Sequence, residues 1–296
     1  MEPACLAHCL TEEERTAFEQ DGFFVVEDVL TPQMIEDLTQ AVERADGTYR
    51  QRIAEDRDLQ DLIVRPGRMA PHDRLELVNI LQQDPVFLDL VDLPQILPKV
   101  WGILGWNIKL YVTQLVMTPP VPAEDQRKTI DGWHRDSGRL NIELETVPKP
   151  RVSLKVGFFL TDTTTEEVGN FYVIRGSQLQ NEVVIPEDGG TLPEGAQAVR
   201  VNAGSAVIFD RRIWHSSSRN FSDITRKVLF YGYSYRWLQP RDDMTVAHLM
   251  EGSDPIRRQL LGASPNGGFG FTSPKDEDVP LKVWLQEHLG EAAVMS

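Results

Sequence analysis

Two histidines and one aspartate carry the chemistry open to this sequence. His134 and Asp136 stand in Asp131-Gly132-Trp133-His134-Arg135-Asp136-Ser137, and His215 stands far downstream in Arg212-Ile213-Trp214-His215-Ser216-Ser217. On an extended segment, residues i and i+2 project to one face, so His134 and Asp136 point together and Arg135 points away. Two imidazoles and one carboxylate are the minimum donor set of a mononuclear non-haem iron site, which keeps positions open for a bidentate co-substrate and for O2. The pair alone is a weak signal, since a surface salt bridge to Arg135 or Arg139 would give the same pattern. His215 alone would suit a hydrogen-bonded core histidine beside Trp214.

Arg226 adds to the pattern. It follows His215 by eleven positions, beyond the turn-like stretch Ser217-Ser218-Arg219-Asn220-Phe221-Ser222-Asp223. A hairpin bending at Asn220-Phe221 would set His215 and Arg226 directly opposite each other on one face. A guanidinium beside a metal-bound histidine can grip the far carboxylate of a dicarboxylate with two parallel hydrogen bonds. Ser217 shares that face and could add a hydroxyl. Taken singly, Arg226 could be a surface hairpin charge; taken together, the residues favour a site.

The elements that must position these groups are mostly strands. Thr11-Glu12-Glu13-Glu14 is a capping box that opens a helix to about Gln20, and Phe23-Phe24-Val25-Val26 reads as a strand. Thr31-Pro32 starts a second helix, with Met34, Ile35, Leu38, Ala41 and Val42 as its apolar stripe. Residues 46–75 read as charged and irregular, a surface excursion or a lid, and short helices are expected near 85–92 and 95–104. From Ile108 the texture turns to β, with strands at 108–117, 151–160, 170–174, 206–209 and 227–237. The expected fold is mainly β with flanking helices. Its core is an antiparallel sandwich or barrel over about 108–240, within a single domain spanning 1–296. Alternation along 108–117 puts Tyr111 and Gln114 on opposite faces, and Gln114 is the one expected to face a pocket.

Composition narrows the function classes. The 296 residues carry 30 Lys and Arg against 45 Asp and Glu, a formal charge of −15, with no basic stripe. Nucleic acid and anionic membrane surfaces are therefore not expected partners. No apolar run approaches the ~20 residues of a membrane span. The two cysteines, Cys5 and Cys9, fall in what reads as a loose N-terminal tail; they suggest neither a metal site nor a disulfide, and a reducing, cytoplasmic setting is expected.

The combination His134-x-Asp136, distal His215, Ser217 and Arg226 resembles the phytanoyl-CoA dioxygenase family of Fe(II)/2-oxoglutarate-dependent oxygenases. Phe18-Glu19-Gln20-Asp21-Gly22-Phe23-Phe24-Val25-Val26 is similar to the family's helix-to-strand entry. The segment Phe159 to Thr164, followed by Gly169-Asn170 and Arg175-Gly176-Ser177-Gln178, is similar to its acidic, Asn-Gly and Pro-Gly-Ser-His run. Here Gly169-Asn170 inverts the usual pair, Arg175 replaces Pro and Gln178 replaces His, all at scaffold positions. The resemblance spans about residues 12–240 and implies a double-stranded β-helix, a cupin-like jelly roll with the N-terminal helices packed on one sheet. It implies Fe(II) on His134, Asp136 and His215, and 2-oxoglutarate on Arg226 with Ser217, beside the strand that carries Gln114. It implies decarboxylation of 2-oxoglutarate to succinate and CO2, coupled to oxidation of an unactivated C–H bond. Related halogenases have a small residue in place of the carboxylate, so Asp136 favours hydroxylation or desaturation.

The competing reading is a cupin-like metal-binding protein, non-catalytic or independent of a 2-oxo acid. The implied partners are O2 and a small-molecule substrate of acyl-CoA, amino-acid-like or natural-product type, acted on by a monomer or homodimer. The C-terminal Ala293-Val294-Met295-Ser296 is not a peroxisomal address, which argues against the phytanoyl-CoA enzyme itself. Arg65, Arg68 and His72 could clamp an anionic substrate, although ordinary surface charge is the simpler expectation.

Overall fold

The computed structural model describes residues 1–55, 74–122, 130, 132–144, 146–188 and 191–295. Arg65, Arg68, His72 and most of the expected lid lie outside the described residues.

Helix α1 (Glu12–Asp21) begins as its capping box requires: Thr11 and Glu14 each bond the other's backbone N–H. It stops at Gly22, whose φ of +86° is a left-handed cap. A side chain at Gly22 would also press on Gln178 and Ile213, so the tight turn and the close approach both demand glycine. Strand β1 (Phe23–Val26) follows. Helix α2 (Pro32–Ala54) is capped by the Thr31 hydroxyl and buries Leu38, Ala41, Val42, Ala45 and Tyr49. It overruns the expected break at residue 46. Its later turns keep the apolar stripe through Ala45 and Tyr49, and Arg50 pairs with Asp46 one turn back.

Strand β2 (Leu75–Val78) begins at the last residue of the stretch expected to be irregular and otherwise lies where the sequence suggests no element. It is four residues long and lies at a sheet edge, where pairing to a neighbour outweighs weak local pattern. A short 3-10 turn at Pro85–Leu90 and helix α3 (Leu97–Leu104) match the Pro-broken apolar stretch. Cys5, expected in a loose tail, is instead buried in a 3-10 helix, Pro3–His8, that packs near α3.

The remaining elements are β3 (Ile108–Thr118), α4 (Gly138–Glu143), β4 (Ser153–Phe159), β5 (Phe171–Ile174), β6 (Ala196–Val199), β7 (Ala206–Asp210), β8 (His215–Ser217), β9 (Arg226–Tyr235), α5 (Pro255–Leu260) and α6 (Pro280–Leu289). They build two antiparallel sheets. The larger has the order β1-β7-β4-β9-β3-β2 and the smaller the order β6-β5-β8. Two strands of the larger sheet, β1 and β2, therefore come from the chain before residue 108.

Alternation divides the large sheet cleanly. Leu154, Val156, Phe158, Ala206, Ile208, Leu229, Tyr231 and Tyr233 join the helices in one apolar core. Phe159, Val207, Phe209, Val228 and Phe230 face the small sheet, where they meet Phe171, Val173 and Val199. Helices thus cover one face and the second sheet covers the other, as a jelly roll requires. Strand β3 keeps to this division only because of a register shift between Leu110 and Val112. Ile108 and Leu110 face the helices before the shift, and Leu115 and Met117 face them after it. The β-bulge changes the parity of the strand. Tyr111 consequently lies over Gly232 on the inner side, where a Cβ on Gly232 would be 2.5 Å from the Tyr111 ring. The expectation that Tyr111 and Gln114 lie on opposite faces assumed an uninterrupted strand; the bulge places both inward.

Candidate metal and co-substrate site

His134 and His215 are cross-strand partners. The His134 N–H donates to the His215 carbonyl at 3.0 Å, and the reverse bond is 2.9 Å. The Asp136 N–H donates to the Arg211 carbonyl at 3.0 Å, which ties the same segment down two residues further on. This register sets the two imidazoles side by side, with ring centroids 4.3 Å apart. One donor atom each from His134, Asp136 and His215 forms a set whose members all lie within 4.8 Å of one another.

The hairpin expected to oppose His215 to Arg226 does not form. Strand β8 pairs with β5 in the small sheet, whereas β9 pairs with β3 and β4 in the large one. Between them Asn220 Nδ2 donates to the carbonyls of Thr118 and Ile224, which carries the chain from one sheet to the other. His215 and Arg226 still line one cavity, from opposite sheets rather than from adjacent strands.

That cavity has a volume of about 400 Å³, and Gln114, His134, Asp136, His215, Ser217 and Arg226 all line it. Each imidazole places Nδ1 against the carbonyl two residues earlier, Gly132 at 2.6 Å and Ile213 at 3.0 Å. An Nδ1–H donated there makes Nε2 the electron-pair donor, the arrangement a metal-binding histidine needs. Burial, reinforced by the neighbouring His134, pushes the His215 pKa down to about 3. Burial alone would raise the Asp136 carboxyl, but Lys155 and the two histidines hold it well below the usual carboxylate range. Neutral nitrogens and an ionised oxygen are the states that suit a divalent metal.

These shifts predict acid lability of the metal-free protein. Between pH ~6.5 and ~3 the unfolded chain takes up a proton at His215 that the folded protein refuses. Stability therefore falls with pH, by ~1.4 kcal/mol per unit from this group. Asp136 adds a loss in the same direction only as pH drops below its unfolded value, ~4. Urea midpoints of chelator-treated protein at about pH 7 and about pH 5 should differ accordingly. The slope should flatten in His215→Phe, and an equal slope in that variant would remove His215 as the source.

Arg226 is 2% exposed, and its stem runs beside Gly169, where a Cβ would lie 3.2 Å from Arg226 Cδ. Its guanidinium sits 5.5 Å over the Phe159 ring and donates to Thr118 Oγ1 at 3.4 Å. It has no carboxylate partner among the described residues. Burial, then the proximity of Arg74, pushes its pKa down to about 9. Ser217 lines the same cavity and accepts from Arg74 Nη1 at 3.3 Å. Gln114 Nε2 donates to the buried Glu76.

Sequence reasoning missed Arg74, Glu76 and Lys155, which all line the cavity. Glu76 between Leu75 and Leu77, and Lys155 between Leu154 and Val156, are charged residues set in apolar strands. That contrast is the available signal. The segments that resemble family motifs without bearing chemistry prove to be braces. Buried Asn170 donates through Nδ2 to the carbonyls of Thr163 and Thr165, Arg175 pairs with Asp21, and Gln178 donates to the Glu19 carbonyl.

A family model described as phytanoyl-CoA dioxygenase matches residues 18–228. The chain belongs to the phytanoyl-CoA dioxygenase family. The family is one of Fe(II)- and 2-oxoglutarate-dependent dioxygenases, and this chain is an enzyme of that kind. One similar protein in the family range is an ectoine dioxygenase from Nocardia farcinica, 26% identical over 243 residues, covering 74% of this chain and 76% of the relative. Among solved structures, HygX from Streptomyces hygroscopicus with nickel, 2-oxoglutarate and hygromycin B bound aligns with a TM-score of 0.58 at 19% identity, over 78% of this chain and 89% of that one. EctD from S. alaskensis with bound Fe aligns with a TM-score of 0.57 at 20% identity, over 78% and 79%. These likenesses establish the shared jelly-roll fold.

Proposed function

We propose that the chain oxidises an unactivated C–H bond of a small molecule, with Fe(II) held by His134, Asp136 and His215 and 2-oxoglutarate held by Arg226, Ser217 and Gln114. The observation that carries this reading is Arg226: a guanidinium buried in a cavity wall, without a carboxylate partner among the described residues, on the same cavity as a His-Asp-His cluster. A buried cation is costly unless an anion completes it, and the far carboxylate of 2-oxoglutarate supplies one. Bound Fe(II) would supply O2 activation coupled to conversion of 2-oxoglutarate to succinate and CO2.

The protein's own groups bind, orient and exclude water. The backbone carbonyls of Gly132 and Ile213 fix the imidazole tautomers, and Arg226 sets the direction of the co-substrate. Val116, Phe171, Phe209 and Phe230 give the cavity apolar walls. At about 400 Å³ the space is near the lower end of ligand pockets and must also admit 2-oxoglutarate. An amino-acid-like or natural-product substrate is therefore favoured over the bulk of an acyl-CoA. The named relatives bear on the same class: one is an ectoine dioxygenase, and another binds hygromycin B. A cytoplasmic setting belongs to this proposal. No helix among the described residues is long and apolar enough to cross a membrane.

The test is succinate release with Fe(II), O2 and 2-oxoglutarate, screened across amino acids, terpenoid acids and CoA esters. A compound of the first two classes should raise release above the uncoupled rate. Absence of both Fe(II) affinity and 2-oxoglutarate-dependent heat would instead support a non-catalytic module.

A further inference from the structure

Lys155 belongs neither to the ligand set nor to the co-substrate anchor, yet its Nζ lies 3.1 Å from Asp136 Oδ1. Both side chains are buried, at 6% and 7% exposure. Lys155 interrupts an otherwise apolar run on β4, where Leu154 and Val156 turn to the helices and Lys155 turns to the cavity. An ammonium in such a place is costly unless paired, and among the described residues its hydrogen-bond partner is this one carboxylate oxygen. The other oxygen, Asp136 Oδ2, is buried and has no hydrogen-bond partner among the described residues. The two oxygens of Asp136 are thus treated differently: one is held, and one has no donor among the described residues.

We propose that Lys155 is a positioning residue that keeps Asp136 a one-oxygen ligand. The inference rests on the reading of His134, Asp136 and His215 as metal ligands. An unrestrained carboxylate can bind a metal through both oxygens, and the second would occupy a position that a bidentate 2-oxo acid requires. Lys155 holds Oδ1 out of that position. The ammonium also repels the nearby dication, so it weakens metal binding while keeping the coordination sphere open. A group that merely braced the fold would have effects of one sign. Lys155 has effects of opposite sign on the two ligands.

The experiment is Lys155→Met, titrated anaerobically with Fe(II) by calorimetry and then, metal-loaded, with 2-oxoglutarate. Removal of the ammonium should tighten Fe(II) binding and weaken 2-oxoglutarate binding, each by roughly tenfold, within the ~10–100-fold range of outer partners at metal sites. Fe(II) affinity that falls or stays constant overturns the proposal, as does an unchanged 2-oxoglutarate affinity. If Lys155→Met does not yield folded protein, Lys155→Gln carries the same expectation and the same refutation, being neutral and shorter. Failure of the wild-type protein to bind Fe(II) would overturn the ligand assignment itself. Wild-type binding of both ligands, with the variant weakened towards both, would overturn the role of Lys155 alone.

Discussion

His215→Ala should abolish succinate release from 2-oxoglutarate, and His215→Phe should do the same while preserving the fold. The imidazole is held on three sides: His134 at 4.3 Å, Phe209 at 5.4 Å and Phe171 at 5.5 Å between ring centroids. Truncation to alanine leaves a void in this cluster and costs ~2 kcal/mol or more of stability. Phenylalanine refills most of that volume and removes a group whose protonation the folded protein resists. Its own cost is the Ile213 carbonyl, which loses the Nδ1 contact, ~1 kcal/mol. Both variants lose the nitrogen donor. Altering only the outer partners of a metal ligand costs roughly 10–100-fold in affinity or activity, so loss of a ligand should exceed that range. Fe(II) titration beside thermal melts separates the two effects. A folded His215→Phe variant that still releases succinate at the wild-type rate would remove His215 from the metal site.

The sequence made the donor residues legible but not the geometry that unites them. His134 and Asp136 could be paired because period-two alternation needs only two neighbouring positions. The capping box at Thr11, the Thr31-Pro32 helix start and the long strands were legible for the same local reason. Partnership between distant segments was not. Hairpin arithmetic makes Arg226 the cross-strand neighbour of His215, whereas its neighbours in the structure are His134 and Val173. Asn220 explains the difference, since its bonds to Thr118 and Ile224 redirect the chain into the other sheet, and a sequence-near turn cannot be told from a sheet-to-sheet crossing by its composition. Tyr111 failed through the same dependence on parity, because one bulged residue reverses every later side chain on the strand. Strand β2 carried too few residues to announce itself, although it brings Glu76 to Gln114.

Arg226→Met should move stability and function in opposite directions. Without co-substrate, the guanidinium is a buried charge whose one hydrogen bond among the described residues is to Thr118 Oγ1, and burial drives its pKa down. Methionine keeps an unbranched stem beside Gly169 and over Phe159 but removes the charge that burial penalises. Replacing buried ionic groups with apolar ones of similar volume is often neutral or stabilising, by about 1–4 kcal/mol. The variant protein should therefore melt at or above the wild-type temperature when 2-oxoglutarate is absent. With 2-oxoglutarate present, the wild type gains stability by mass action and the variant gains little. Loss of one partner from a buried, hydrogen-bonded charge pair costs about 2–5 kcal/mol, so the KM for 2-oxoglutarate should rise by roughly 30-fold to several thousandfold. A 2-oxo-acid-independent metal protein would keep its activity in Arg226→Met. An unchanged KM, or a variant destabilised without 2-oxoglutarate, would mean that Arg226 serves the jelly roll and not the co-substrate. The sign of the melting shift without ligand therefore decides the assignment, because a brace and an anion site differ in whether the empty protein is better off without the charge.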